Sequence, residues 1–193
     1  MIVLVGVACI AMYVKTVLPN VGEPEQLTIE RKPLRIERGK YLANNVAVCM
    51  DCHSQRDYSL YAGPIKAETF GAGGEKFGEE IGFPGSIYSK NITAFKLGTW
   101  TDGEIVRAIT TGVSKNDNAL FPLMPYHNYG RMDKEDIYSI VAYIRTLPAK
   151  ANEVPDSELD LVAARQQYEN ANLPHIFLIR FQIVREASLL LKF

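Results

Sequence analysis

Two cysteines and a histidine stand close together in the segment VAVCMDCHSQ, residues 46–55. Cys49 and Cys52 are separated by two residues, and His53 follows directly. Thiol and imidazole groups at this spacing serve three kinds of chemistry: binding of a metal such as zinc, a redox-active dithiol, or covalent attachment of c-type haem. The composition and patterning of the remaining chain bear on the choice among them.

The zinc and dithiol readings find little support elsewhere in the sequence. A structural zinc site needs four ligands, usually from two such pairs, yet the only other cysteine, Cys9, lies in the apolar N-terminus. A thioredoxin-type pair follows a strand, whereas the residues before Cys49 predict a helix. In c-type haem attachment, Cys49 and Cys52 would form thioethers and His53 would ligate the iron. The sequence therefore favours one covalent haem, with zinc and dithiol chemistry as the alternatives.

A methionine is the expected second iron ligand. Met124 lies in FPLMPYHNYG, residues 121–130, where two prolines stiffen the loop. A thioether ligand raises the reduction potential and keeps small molecules from the iron. His127 is the alternative ligand, with a lower potential, and Met124 could instead simply fill the core. The other methionines and histidine considered are not expected to ligate the iron: Met50, Met132 and His175.

A helix is predicted on the N-terminal side of the motif. The segment RIERGKYLANNVAV, residues 35–48, has apolar residues spaced as in an amphipathic helix that runs into the cysteine pair. Gly39 inside it costs about 1 kcal/mol relative to alanine. Its presence indicates close contact with another element.

Two further helices and a long loop are predicted after the motif. TDGEIVRAITTG predicts a helix that begins at Thr101 or Asp102 and ends at Gly112. DKEDIYSIVAYIRTLP, residues 133–148, is the clearest helix, with acidic residues in its first turn and a proline after its end. The glycine-rich residues 60–98 are expected to form loops around a cofactor, and the prolines of FPLMPY predict an extended conformation.

Length, charge and hydropathy give the expected organisation of the chain. Its 193 residues suffice for one well-packed domain with flanking segments, and a net charge of -1 argues against nucleic-acid binding. The apolar residues 1–18 are predicted to be a retained membrane anchor, with a core helix or a removed signal peptide as alternatives. Residues 19–33 read as a linker, 34–148 as the haem domain, and 149–193 as an extension that contacts a partner or a membrane.

Four motifs in order, ERGKYLANNVAVCMDCHS, WTDGEIVRAITTGV, PLMPYHNYG and KEDIYSIVAYIRTLP, resemble a monohaem bacterial cytochrome c of the class I type. The resemblance covers residues 35–148 and is nearest to membrane-anchored carriers and to cytochrome subunits of periplasmic dehydrogenases. It implies an all-α fold with the haem in a crevice and Gly39 packed against Tyr143. By the same resemblance, Cys49 and Cys52 would be the attachment residues, His53 the proximal ligand and Met124 the distal ligand.

The same resemblance implies further site residues and a function. Tyr88, Asn91 and Trp100 would line the haem or bond its propionates, while plain core packing is an equal reading for Trp100. The expected function is one-electron transfer, not enzyme catalysis, on the outer side of a bacterial cell membrane. The expected partners are a redox-protein donor, a redox-protein acceptor and the subunits of a membrane complex. A haem enzyme or gas sensor with a displaceable ligand, and a mainly structural subunit, are the alternatives. Many dehydrogenase cytochrome subunits carry three haems, whereas this chain has one C-x-x-C-H.

Overall fold

The computed structural model describes residues 20–83 and 85–159, together with positions 5, 6, 9 and 12. The predicted anchor at residues 1–18 and the extension beyond residue 159 therefore lie almost wholly outside the described residues. Within the described part, no helix has the length and apolar character needed to cross a membrane. The chain divides into a larger unit, Val21–Lys76 with Tyr88–Asp156, and a smaller one whose described residues include 77–83, 85–87 and 157–159.

The larger unit is helix-rich, as the sequence predicts. A π-helical turn, Leu42–Val46, directly follows the helix Pro33–Tyr41. A short 3-10 turn, Ala67–Thr69, lies in the glycine-rich region. The helices in chain order are α1 (Pro33–Tyr41), α2 (Cys49–Cys52), α3 (Ala94–Leu97), α4 (Asp102–Thr111), α5 (Tyr126–Tyr129) and α6 (Lys134–Ile144).

A small sheet modifies the all-α expectation. Its strands are β1 (Lys76–Phe77), β2 (Gly85–Tyr88) and β3 (Glu158–Leu159), in the order β1-β2-β3. β2 pairs antiparallel with β3, so that Gly85 lies opposite Leu159 and Ser86 opposite Glu158. A 3-10 turn, Glu79–Ile81, stands between the first two strands. The fold is thus mainly helical with one short sheet, because β1 and β2 form within the glycine-rich segment 60–98.

The crossing of α1 and α6 explains the glycine in α1. A Cβ atom at Gly39 would overlap the carbonyl group of Ser139 and lie 3.0 Å from the Cβ of Tyr143. The two backbones can therefore approach this closely only without a side chain. The packing of Gly39 against Tyr143 that the resemblance implied is confirmed. The buried core beside this crossing includes Leu42, Ala43, Met50, Ile105, Ile137, Ile140, Val141 and Ile144.

Helix α4 begins and ends where its sequence predicts. The Thr101 hydroxyl accepts a hydrogen bond from the Glu104 backbone N–H at 3.1 Å, and the Glu104 carboxylate accepts one from the Thr101 N–H at 2.7 Å. This reciprocal pair is a capping box, which satisfies two N–H groups at the helix start. Gly112 closes the helix in the left-handed conformation, at φ 70°. The local signals alone therefore define this helix.

A buried ion pair joins α4 to the end of α6. Arg145 Nε donates to Asp102 at 2.8 Å, and the second carboxylate oxygen accepts the Ile29 N–H at 2.8 Å. The other guanidinium nitrogens donate to the carbonyls of Leu97 and Trp100 at 2.7 and 2.5 Å. Asp102 is buried and Arg145 is partly buried, and their hydrogen bonds hold three separate chain segments in register.

Candidate functional site

The chain enters the cysteine motif through an abrupt change of direction. The sequence predicts a helix that continues to the cysteines, but the helical turns end at Val46, and Val48 adopts a left-handed conformation with φ 45°. A β-branched residue rarely takes this conformation. The Val48 carbonyl accepts hydrogen bonds from the N–H groups of Asp51 and Cys52, at 3.2 and 3.4 Å. Helix α2 is therefore separate from the preceding helical turns, and Cys49 is its first residue.

Cys49 and Cys52 lie one helical turn apart in α2, a spacing that puts both side chains on one side of the helix. Both thiols are free and half-buried. Burial, followed by the neighbouring Cys52, raises the pKa of Cys49 to about 12. Burial, followed by the Asp51 carboxylate, also raises the pKa of Cys52. Two protonated thiols are thus available on one side of a short helix.

The described residues contain no group of three or more His, Cys, Asp or Glu side chains that could hold a metal ion. The zinc alternative therefore finds no complete ligand set in this part of the chain.

His53 is fixed through one of its two ring nitrogens. Nδ1 donates a hydrogen bond to the backbone carbonyl of Lys90 at 2.6 Å, while the His53 carbonyl accepts the Gly73 N–H at 2.8 Å. A hydrogen at Nδ1 leaves the lone pair on Nε2, the tautomer that an iron ligand requires. Burial lowers the pKa of His53, and the bond to the Lys90 carbonyl partly opposes this effect. The imidazole is therefore neutral at neutral pH.

A polar network that the sequence did not reveal supports the residues around the motif. Arg56 donates to the Asp51 carboxylate at 2.6 Å and to the Gly63 carbonyl at 2.6 Å. The buried Glu75 accepts the Arg56 N–H at 3.0 Å and the Tyr58 hydroxyl at 2.7 Å. These residue types are common and widely spaced, so no motif identifies them.

Met124 lies in a compact turn, where an extended conformation is expected from the two prolines. Its N–H donates to the Phe121 carbonyl at 3.3 Å, and its own carbonyl accepts the Tyr126 N–H at 2.8 Å across Pro125. The proline and these two bonds fix the backbone on both sides of the methionine. The Met124 side chain is partly buried against the same hydrophobic core that Cys49 contacts.

The rival candidates for iron ligation lie elsewhere. His127 is exposed to solvent, with its ring edge-to-face against Tyr126 at 5.9 Å between centroids. Met50 is buried in the core with 1% of its surface exposed, and Met132 packs partly buried against that core. His175 lies outside the described residues. Among these side chains, Met124 alone combines a proline-braced turn with partial burial.

Tyr129 connects α5 to the chain just before the motif. Its hydroxyl donates to the Ala47 carbonyl at 2.8 Å. Burial raises the pKa of Tyr129, and the nearby thiols of Cys49 and Cys52 raise it further. Tyr129 lies within the motif PLMPYHNYG. The sequence does not indicate that its hydroxyl bonds to the Ala47 carbonyl.

Asn91 makes all of its side-chain hydrogen bonds within the protein. The residue is buried with 3% exposed, and its amide nitrogen donates to the carbonyls of Lys150 and Asn152, at 2.9 and 3.3 Å. Its amide oxygen accepts from the Thr93 N–H and hydroxyl, at 2.9 and 2.7 Å. Asn91 also follows Lys90 directly, so it lies one residue from the group that binds His53.

Tyr88 and Trp100 occupy different surroundings. Tyr88 is half-buried at the end of β2. Trp100 is half-buried against the main hydrophobic core, as its core-packing reading expects. Contact of these side chains with a haem stays a prediction.

Comparison with known proteins relates this chain to cytochrome subunits. It is 37% identical over 116 residues to the fructose dehydrogenase cytochrome subunit of Gluconobacter japonicus, a match that covers 58% of this chain and 21% of that protein. It is 34% identical over 112 residues to the cytochrome c subunit of the quinone alcohol dehydrogenase of Gluconacetobacter polyoxogenes, covering 56% of this chain and 21% of that subunit. A diheme cytochrome c-type protein of Cereibacter sphaeroides is 26% identical over 103 residues, 52% of this chain and 32% of its own.

The chain spans about a fifth of the length of the two dehydrogenase subunits. No protein-family model matches it. Over about half its length, the chain is homologous to c-type cytochrome subunits.

Proposed function

We propose, on the premise that this chain is a homologue of cytochrome c subunits of dehydrogenases, that it transfers single electrons through one covalent haem c. The relatives' names support the class of function. The helical unit with its glycine-dependent crossing of α1 and α6 supports a class I cytochrome c fold. The haem domain lies on the outer side of a bacterial cell membrane, as a membrane-anchored carrier or as a fixed subunit of a larger complex.

The residues around the motif fit a haem c. Cys49 and Cys52 would form its thioethers, since both thiols are free and lie on one side of α2. His53 would ligate the iron through Nε2, because Nδ1 is occupied by the Lys90 carbonyl. The haem, when bound, supplies a one-electron iron couple. The single observation that carries the proposal is this neutral, oriented imidazole directly after two free thiols.

Met124 is the proposed second ligand. Its turn is fixed by Pro125 and by backbone bonds at the residue itself, and its side chain packs, partly buried, against the core. A methionine held in this way would stay in position in both oxidation states of the iron. Little of the protein would therefore reorganise when an electron is transferred. As an iron ligand it would block the binding of small molecules, which argues against the haem-enzyme and gas-sensor alternatives.

One haem is proposed for this chain because its 193 residues contain one C-x-x-C-H. The proposed partners are a redox-protein donor and acceptor and the other subunits of a membrane complex. Extraction of the native protein in mild detergent, followed by native mass measurement, tests the subunit form. A stoichiometric larger assembly supports it, and a lone monomer supports a tethered carrier instead.

The test of the ligand set uses the full chain, produced in a bacterium that attaches haem c. Intact mass should show one haem per chain, and the oxidised protein should show the weak near-infrared sulfur-to-iron band. Met124→Ala should abolish that band, lower the reduction potential and allow carbon monoxide to bind the reduced protein. Met132→Ala is the matched control, since Met132 is also a core-packed methionine, and the band should survive in it. A wild-type protein without the band that binds carbon monoxide readily would overturn the carrier proposal.

A further inference from the structure

Residues 150–156, here called the strap, follow α6 and bond to a loop beside the haem motif. The Asn152 amide nitrogen donates to the carbonyls of Ala72 and Gly73, at 3.0 and 3.3 Å. These two residues belong to the glycine loop, residues 71–74. The strap is the described first part of the extension predicted at residues 149–193, and these bonds attach it to the glycine loop.

A second set of bonds joins the strap to the acceptor loop, residues 89–91. Lys90 Nζ donates to the Pro155 carbonyl at 2.9 Å. The buried Asn91 amide donates to the carbonyls of Lys150 and Asn152. The strap therefore bonds to both loops, and Asn152 takes part in both sets of bonds, through its side chain and through its carbonyl.

The two loops meet directly beside His53. A Cβ atom at Gly73 would lie 2.6 Å from the carbonyl carbon of Lys90 and 2.6 Å from the backbone nitrogen of Asn91, so the backbones are in contact there. Gly73 has φ 68°, which also favours glycine. The glycine loop binds the His53 carbonyl, and the acceptor loop binds the His53 ring at Nδ1. Both the backbone and the ring of His53 are thus held by loops that the strap ties together.

The length of the bond from His53 Nδ1 to the Lys90 carbonyl affects the iron. A strong hydrogen bond from the outer nitrogen makes the ligating nitrogen more basic, which stabilises oxidised iron and lowers the reduction potential. The acceptor is a backbone carbonyl, so it can move only with its loop. Anything that loosens the acceptor loop will therefore weaken the bond and raise the potential.

We propose that the strap is a positioning element for His53, and that Asn152 is the residue through which it sets the hydrogen bond to the Lys90 carbonyl. The inference rests on the proposed function, because it concerns how an iron ligand is held. The side-chain amide of Asn152 donates to the carbonyls of Ala72 and Gly73, so it would act on His53 through the glycine loop.

The experiment compares Asn152→Leu with wild type in the full-length, haem-loaded protein. Leucine has the same branching as asparagine with a larger volume, removes both donors and leaves the charge unchanged. The reduction potential should shift upward, and the hyperfine-shifted ring resonances of His53 in the oxidised protein should move. The near-infrared sulfur-to-iron band should stay, because the Met124 side is untouched. Asn45→Leu is the control, since Asn45 also donates its amide to a backbone carbonyl, that of Tyr41 at 3.0 Å, but away from both loops.

An Asn152→Leu protein with the potential and His53 resonances of wild type and Asn45→Leu would overturn the positioning role. Should that variant not accumulate with haem, Asn152→Ala removes the same donors with less volume and gives the same readout. Mass and spectrum of the wild type are recorded first. A wild type without covalent haem overturns the proposed function itself, whereas haem with an unmoved potential overturns only the role of the strap.

Discussion

Val48 and Tyr129 determine how the chain enters the cysteine motif. Val48 stands in a left-handed conformation, at φ 45°, that a β-branched residue adopts only when its surroundings hold it there. One residue earlier, the Ala47 carbonyl accepts a hydrogen bond from the half-buried Tyr129 hydroxyl at 2.8 Å. The hydroxyl therefore braces the strained turn from α5, and the turn in turn sets where Cys49 begins its helix.

Replacement of Tyr129 by phenylalanine should lower stability in a pH-dependent way. At neutral pH the loss should be about 0.5–1.5 kcal/mol, the usual net contribution of one hydrogen bond. Burial raises the pKa of Tyr129, so the phenol stays protonated when folded, while in the unfolded chain it ionises near the ordinary pKa of about 10. The stability that Tyr129 contributes to the wild type is therefore lost as the pH rises above about 10. The Tyr129→Phe protein has no such contribution to lose.

Denaturant unfolding at neutral pH and at about pH 11 measures the difference between the two proteins, which should shrink at the higher pH. Tyr61→Phe is the control, because it removes the same atom from a side chain that is 100% exposed. That control should match wild type at both pH values. A difference between wild type and Tyr129→Phe that stays constant with pH would contradict the expectation.

At the scale of elements, the sequence predicts those helix ends that depend on contacts between residues close together in the chain. Thr101 and Gly112 bound α4 as expected, since capping and left-handed closure involve residues only a few positions apart. The Lys90 carbonyl that binds His53 could not be predicted, because every residue has a carbonyl and its identity carries no signal. The turn at Met124 and the bonds of Asn152 likewise depend on which loops meet in space.

The crossing of α1 and α6 should be the element contact most sensitive to a single methyl group. In Gly39→Ala the new Cβ would overlap the Ser139 carbonyl, so the helices must separate, and overpacking of this kind costs about 1–3 kcal/mol. Thermal or denaturant unfolding of the haem-loaded protein measures the loss. Lys40→Ala, an exposed change in the same helix, should alter stability by less than about 0.5 kcal/mol. Equal stability of Gly39→Ala and wild type would mean that the helices tolerate a wider crossing.

At the scale of the whole molecule, the part of the chain that the structure describes combines a helical core with long loops. Its largest fully buried side chains include Met50, Ile137 and Ile140. The glycine loop and the neighbouring residues are held mainly by polar contacts, such as those of Glu75 and Asn152. Loops of this length are unusual in a compact domain unless they surround something. Covalent attachment of a large apolar cofactor should therefore contribute strongly to the stability of the whole unit.

The double replacement Cys49→Ala and Cys52→Ala tests that dependence. Without thioethers the haem is no longer retained, so the apolar surface meant to cover it is exposed, and a group that binds only the folded chain no longer stabilises it. The doubly substituted protein should carry no haem by mass and should lose its sharp, cooperative unfolding in a circular-dichroism melt. Cys9→Ala is the control, because it removes an exposed cysteine outside the motif and should keep both the haem and the melt of wild type. A double variant that melts as cooperatively, and at the same temperature, as the haem-loaded protein would show that the chain folds without the cofactor's help.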